Sequence, residues 1–153
     1  MNFSSMNIES EISFIDINSS SNEDISFLYK VLSCRDETEN ISHVVMPTYE
    51  EHIEFVHSNP YKKWCVVFID DQRVGSIYLS ESNEIGMFTL PEFRDIIKME
   101  ETYEEFIQSI NVPSKVFINV SPKNENLKRL VRRMGFTHIQ DTYAKEIKSD
   151  HCC

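Results

Sequence analysis

Glycine is scarce in this chain: three in 153 residues, at Gly75, Gly86 and Gly135. A loop that cradles phosphate on its backbone needs several bare residues close together, so neither a Walker A loop nor a G-x-G-x-x-G fingerprint can be written from these three. The sequence also lacks a G-x-S-x-G nucleophile elbow and an H-E-x-x-H helix motif, which removes the usual layouts of serine hydrolases and zinc proteases. No apolar run approaches the ~18 residues of a membrane span. The N-terminus carries Glu9 and Glu11 where a signal peptide would carry basic residues before an apolar stretch, so none is expected. The four cysteines are Cys34, Cys65 and the adjacent pair Cys152 and Cys153. They show no zinc-ligand spacing, so no metal site is expected. Reduced thiols and a cytoplasmic location are the simplest expectation.

Charge of one sign dominates. There are 25 acidic against 15 basic side chains, a formal net charge of −10. Such a field repels phosphate backbones and anionic lipid, so no nucleic-acid and no membrane partner is expected. It suits an amine-bearing ligand and is equally a route to solubility. A hydrophobic fraction of 41% is enough to fill one core of ordinary size. The chain reads as a loose N-terminal segment at 1–11, a single domain at 12–148 and a tail at 149–153. A homodimer is left open.

The periodicity gives an alternating order of elements. Residues 12–17 read as a strand. Ser21 with Asp24 then caps a helix carrying Ile25, Leu28, Tyr29 and Leu32 at helical spacing. Residues 35–46 read as a loop. Thr48 and Glu51 form a second capping box before His52, Phe55 and Val56, and the Asn59-Pro60 pair ends that helix. Residues 64–69 and 74–79 form a hairpin, and 84–90 a third strand closed by Pro91. Met99, Tyr103, Phe106, Ile107 and Ile110 predict a helix. Residues 115–120 read as a buried strand. Ser121 and Pro122 read as the start of a further helix, with Leu127, Leu130, Val131 and Met134 as its buried stripe and Gly135 just past its end. Residues 136–139 and 142–147 are predicted as closing strands. The pattern predicts an α/β (α+β) fold: a mixed, mostly antiparallel central sheet flanked by about four helices.

Two segments carry a family resemblance. The run VSPKN at 120–124, followed by Leu127, Leu130 and MGF at 134–136, is similar to the V-x-P-x-N…G-F segment of the GNAT N-acetyltransferase superfamily, with Asn124 eleven residues before Gly135. The run IGMFTLPEFR at 85–94 resembles that family's cofactor strand leading into P-x-x-R. The resemblance covers roughly residues 12–147. It implies an acyltransferase that moves acetyl from coenzyme A to a small-molecule amine by direct transfer, with acetyl-CoA as co-substrate. It implies that Met87, Phe88 and Thr89 face the pantetheine arm, that Arg94 belongs to the phosphate side, and that Asn124 lies beside the thiol. The alternative for Asn124 is a first-turn helix residue that bonds locally.

Where the family loop reads R-x-x-G-x-G, Arg94 is followed here by Asp95, Ile96, Ile97, Lys98 and Met99, and neither glycine is present. Across 92–105 six acidic residues stand against two basic ones, and carboxylates in a first helical turn already satisfy the helix dipole. Lys123, Lys128, Arg129, Arg132 and Arg133 crowd the next helix, either toward the cofactor's phosphates or as a solvated face balancing the acidic helix. The family's tyrosine acid would fall at Val131; Tyr103, Tyr143 and Tyr78 are the other candidates, and nothing in the sequence places them. Amine acetylation also needs a proton acceptor, for which Glu84 and His52 are candidates. Arg35, His43 and Trp64 are candidates for the acceptor site, His52 and Trp64 otherwise being packing residues. The other readings of the chain are a degenerate GNAT-fold binding module and an acyltransferase that uses a carrier other than CoA.

Overall fold

The computed structural model describes residues 10–35, 45–94, 99–111 and 114–148. Four strands form one sheet in the order β1-β2-β3-β4, every neighbour antiparallel. The strands are β1 (Ile12–Asp16), β2 (Lys63–Ile69), β3 (Gln72–Leu79) and β4 (Ile85–Thr89). Helices α1 (Asn22–Ser33) and α2 (Tyr49–His57) separate β1 from β2, and α3 (Met99–Ser109) and α4 (Glu125–Arg133) follow β4.

The local signals act as capping chemistry requires. Ser21 and Asp24 close a reciprocal capping box on α1, and Thr48 and Glu51 close another on α2. Each satisfies two orphan N–H groups, a contribution of about 1 kcal/mol per cap. The β2–β3 hairpin turns on two residues, Asp70 (φ 49°) and Asp71 (φ 64°). Both are left-handed, as a tight turn matching the strand twist demands. Asp70 also accepts from the Glu11 N–H at 2.9 Å, which anchors the entry to β1.

Alternation along the strands divides the core in two. Cys65, Val67, Ile69, Val74, Ile77, Leu79, Ile85 and Met87 pack with Tyr103 and Phe106 of α3. On the opposite face Trp64 and Val66 pack with Ile17, Ile25, Leu28 and Val56, under α1 and α2. On that second face one tie between α1 and β3 is ionic. Arg73 Nε donates to Asp24 Oδ1 at 2.7 Å, and Asp24 is only 3% exposed.

The C-terminal third departs from the expected elements. Residues 115–120 form no strand; they make one parallel bridge, Phe117 with Glu84. The helix start also moves: Ser121 is not the cap, and Asn124 accepts the Leu127 N–H at 3.1 Å as the N-cap of α4. The stripe of Leu127, Leu130, Val131 and Met134 is half-buried, with no residue of α4 fully buried. The predicted strands at 136–139 and 142–147 are absent, and Ile139, Tyr143 and Ile147 are exposed. Strand propensity measures fit to a half-buried pleated surface, and among the described residues these segments have no paired edge to lie against. Gly135, by contrast, ends α4 as expected. At φ +91° it lets its own N–H reach the Arg132 carbonyl (3.1 Å) and the Phe136 N–H reach that of Val131 (3.0 Å).

Candidate active site at the free edge of strand β4

Among the described residues, the last strand of the sheet is paired on one side along its whole length and on the other side at one point. The Leu90 N–H donates to the Val74 carbonyl at 3.0 Å. Antiparallel pairing alternates, so Phe88 with Ser76 and Gly86 with Tyr78 are also hydrogen-bonded pairs. The backbone groups of Ile85, Met87 and Thr89 therefore point away from β3. Ile85 shows it: its N–H donates to the Phe117 carbonyl at 2.7 Å, while the Phe117 N–H donates to Asn83 at 2.9 Å. Past that bridge the two segments part. Among the described residues, Met87 and Thr89 have no backbone partner on their outer side. A strand edge with two ladder positions open, next to a chain segment that has just diverged, is a slot for an amide-bearing ligand.

The face of β4 toward α1 and α2 is aromatic. The rings of Tyr61 and Tyr78 stack at 4.0 Å with an interplanar angle of 7°. Trp64 meets Tyr61 edge-on at 5.1 Å, and Phe55 meets both. Phe88 lies beyond Tyr78 at 6.4 Å. The Arg35 guanidinium, just past the end of α1, sits 3.5 Å over the Phe88 ring. That cation–π contact sets the Arg35 side chain over β4. Burial raises the Tyr61 phenol to about 12, with further contributions from the neighbouring Tyr78 and from the Glu84 carboxylate, opposed by Arg35. Burial also raises Tyr78, with Arg35 lowering and Glu84 raising it. Arg35 and Glu84 thus bear on the same pair of phenols. Trp64 is 8% exposed, and among the described residues its Nε1–H has no hydrogen-bond partner.

Of the residues singled out from sequence, the fold brings Glu84, Met87, Phe88, Thr89, Arg35 and Trp64 to this one region. Glu84 is half-buried at the bridge itself. His52 is elsewhere: 4% exposed, with Nε2 3.0 Å from the Ile25 carbonyl, and its ring against Tyr29 and Tyr49. Since a carbonyl only accepts, Nε2 carries the proton. Burial lowers the His52 pKa, partly offset by that bond. Asn124 is engaged as the α4 cap. Arg94 ends a short 3-10 turn (Pro91–Phe93) on the surface. His43 and the loop at 95–98 lie outside the described residues.

The basic face of α4 is largely committed to local partners. Lys128 bonds Glu125 (3.1 Å) and the Pro122 carbonyl (2.7 Å), and Arg129 bonds Asn126 (2.8 Å). Arg133 Nε bonds Glu100 of α3 at 3.0 Å, which ties the basic helix to the acidic one. Among the described residues no group of three or more His, Cys, Asp or Glu could hold a metal, and no helix is long and apolar enough to cross a membrane.

Sequence reasoning missed Tyr61, Phe55 and Gly86. Gly86 had a signal: glycine inside a strand often marks the close approach of another group. A Cβ built there would stand 2.3 Å from Cζ of Tyr78 and 2.5 Å from its hydroxyl oxygen. The glycine is the gap through which the Tyr78 ring crosses β4.

No protein-family model and no curated protein sequence matches the chain. Solved structures do. The N-acetyltransferase PseH of Campylobacter jejuni, in complex with acetyl coenzyme A, is 20% identical with a TM-score of 0.61, over 86% of this chain and 92% of that one. The aminoglycoside N-acetyltransferase AAC(6')-Iy, in complex with CoA, is 10% identical with a TM-score of 0.64, over 94% and 99%. An N-acetyltransferase from Staphylococcus aureus Mu50 is 12% identical with a TM-score of 0.67, over 86% of each chain. At these identities the likeness establishes the fold, and the chain has the GNAT-like α/β fold.

Proposed function

We propose that this chain transfers an acetyl group from acetyl-CoA to a small-molecule amine by direct attack within a ternary complex. The observation that carries the reading is the outer edge of β4, where Met87 and Thr89 have no backbone partner among the described residues just past the Glu84–Phe117 bridge. An extended pantetheine arm carries amides at strand-like spacing, and it satisfies such groups as a further strand would. The likeness to N-acetyltransferases solved with CoA or acetyl-CoA supports the same placement.

The acceptor would enter from the aromatic side, over Phe88, with Arg35 and Trp64 on its wall and His43 on the segment that follows Arg35. Glu84, half-buried beside Tyr61 and Tyr78, would take a proton from the acceptor's nitrogen, so that the neutral amine attacks. His52 is the weaker base: its protonated nitrogen is spent on Ile25 and its ring is enclosed by α1 and α2 packing. Arg94 and the outward side of Asn124 remain the candidates for the cofactor's phosphate and thiol ends.

A second reading has its own observation. Helix α3 opens with Glu100 and Glu101 in its first turn, where carboxylates oppose an incoming pyrophosphate. On that reading the fold serves as a binding module, or takes its acyl group from a carrier other than CoA. Calorimetric titration with acetyl-CoA separates the two. Binding in the micromolar range supports acetyl transfer; no heat at millimolar ligand removes it.

A further inference from the structure

Strand β3 carries one residue more than β2 can pair. Val67 lies opposite Gly75 and Phe68 opposite Arg73, so Val74 is left over as a bulge. A bulge bends its strand and raises the local twist. Next to it, Gly75 closes on the backbone of β4. A Cβ built on Gly75 would stand 2.2 Å from the Phe88 carbonyl oxygen, 3.1 Å from Thr89 Cα and 3.2 Å from the Phe88 carbonyl carbon. All three are backbone atoms, whereas those nearest Gly86 belong to a side chain. Glycine inside a strand marks such an approach of another backbone.

The carbonyl that Gly75 admits is half of one rigid unit. The peptide group joining Phe88 to Thr89 is trans and planar, so its C=O and N–H point in opposite directions. The carbonyl faces β3 and Gly75, and the Thr89 N–H faces the open edge past the Glu84–Phe117 bridge. We propose that Gly75 is a positioning residue that aims the Thr89 N–H into the slot, where it donates to a carbonyl of the pantetheine arm. This rests on the acetyl-transfer reading and deepens it by naming what sets the slot's donor.

The lever is local. Ordinary carbon–oxygen contacts lie near ~3.3 Å, so a methyl group at position 75 makes the Phe88 carbonyl retreat by roughly 1 Å. The whole strand cannot follow. The Leu90 N–H is held by the Val74 carbonyl at 3.0 Å and the Ile85 N–H by the Phe117 carbonyl at 2.7 Å, one on each side of this peptide along β4. With the strand held at both places the peptide plane turns, and the Thr89 N–H leaves its line. A hydrogen bond weakens steeply as that alignment is lost.

The test is a calorimetric titration of the full chain with acetyl-CoA, wild type against Gly75→Ala, with amide hydrogen exchange followed residue by residue by NMR. In the wild type, saturating acetyl-CoA is expected to slow exchange at the Thr89 N–H. Gly75→Ala is expected to bind ~5–10-fold more weakly, the net worth of one hydrogen bond. At saturation the variant should lose the slowing at Thr89 while Ile85 stays as protected as in the wild type. Loss at both amides is a general loosening of the sheet and overturns the proposal. Retained slowing at Thr89, or wild-type affinity in the variant, also overturns it and leaves acetyl transfer standing. Failure of the wild-type protein to bind acetyl-CoA removes both ideas together. If Gly75→Ala does not fold, the wild-type amides decide: slowing at Thr89 without change at Phe88 supports the proposal, and no slowing at Thr89 overturns it.

Discussion

Replacing Gly86 with alanine tests the crossing of Tyr78 over β4 directly. The added Cβ would stand 2.3 Å from Cζ, and 2.5 Å from both Cε1 and the hydroxyl oxygen. Ordinary carbon contacts begin near ~3.5 Å, so the ring must retreat by roughly 1 Å. A flexible side chain would do so at little cost. This one is pinned on its other side by the Tyr61 ring at 4.0 Å, which in turn rests on Trp64 at 5.1 Å. Overpacking against a braced ring costs about 1–3 kcal/mol. For a domain of this size that lowers Tm by roughly 2–10 °C. The assay is urea denaturation of wild-type, Gly86→Ala, Tyr78→Val and the double variant. With the phenol gone, Gly86→Ala is expected to be close to neutral, because the three atoms nearest the added Cβ all belong to Tyr78. The double-mutant cycle should therefore return a coupling of about 1–3 kcal/mol. Additive effects, or a Gly86→Ala protein as stable as wild type, would refute the packing argument.

Three further expectations follow from the packing. Gly135→Ala has open space around its Cβ but keeps φ at +91°, so it should cost about 1–2 kcal/mol through backbone strain alone, and its effect should not couple to any neighbour in a cycle. Asp24→Asn breaks a pair in which the acid is 3% exposed and the Arg73 side chain 31% exposed; the loss should be about 2 kcal/mol, below the range for fully buried pairs because Arg73 reaches solvent. The Asp24 pKa is a balance: burial raises it, while the Ser21 N–H and the Arg73 guanidinium pull it lower overall, below 3.8. Its contribution is therefore complete above about pH 3.8 and is lost as pH falls through the native value, a limb that urea midpoints at pH 7, 4 and 3 should show and Asp24→Asn should flatten. His52 behaves alike at a higher pH. Burial lowers its native pKa below the free value of 6.5, so stability holds above pH 6.5 and declines as the pH falls through the native value; His52→Gln should abolish that decline, measured by Tm between pH 7.5 and 5.

Much of the frame was legible because its signals are local. Ser21 with Asp24 and Thr48 with Glu51 each satisfy N–H groups within four residues, so the caps can be read without a fold. The Asp70-Asp71 turn carries its own left-handed tolerance, and Gly135 its own helix stop. The candidate edge was legible in part: the outward phase of Met87 and Thr89 follows from strand periodicity once β3 is known to be their partner. Arg35 and Trp64 could be nominated as polar and aromatic residues, but not brought to Phe88.

The remainder depended on which surfaces exist. Residues 136–148 have strand composition, yet strand formation needs an edge, and an edge is made by a different part of the chain. Sequence could not weigh His52 against Glu84, because the difference lies in a carbonyl 27 residues away and in two phenols on other elements. It gave Asp24 as a cap and could not add Arg73, 49 residues on. In this protein, composition and short-range hydrogen bonding determined the elements, their capping and their order. The tertiary structure alone decided which backbone groups were left unpaired and which ring was carried over the one glycine that admits it, because both depend on contacts between residues far apart in the chain.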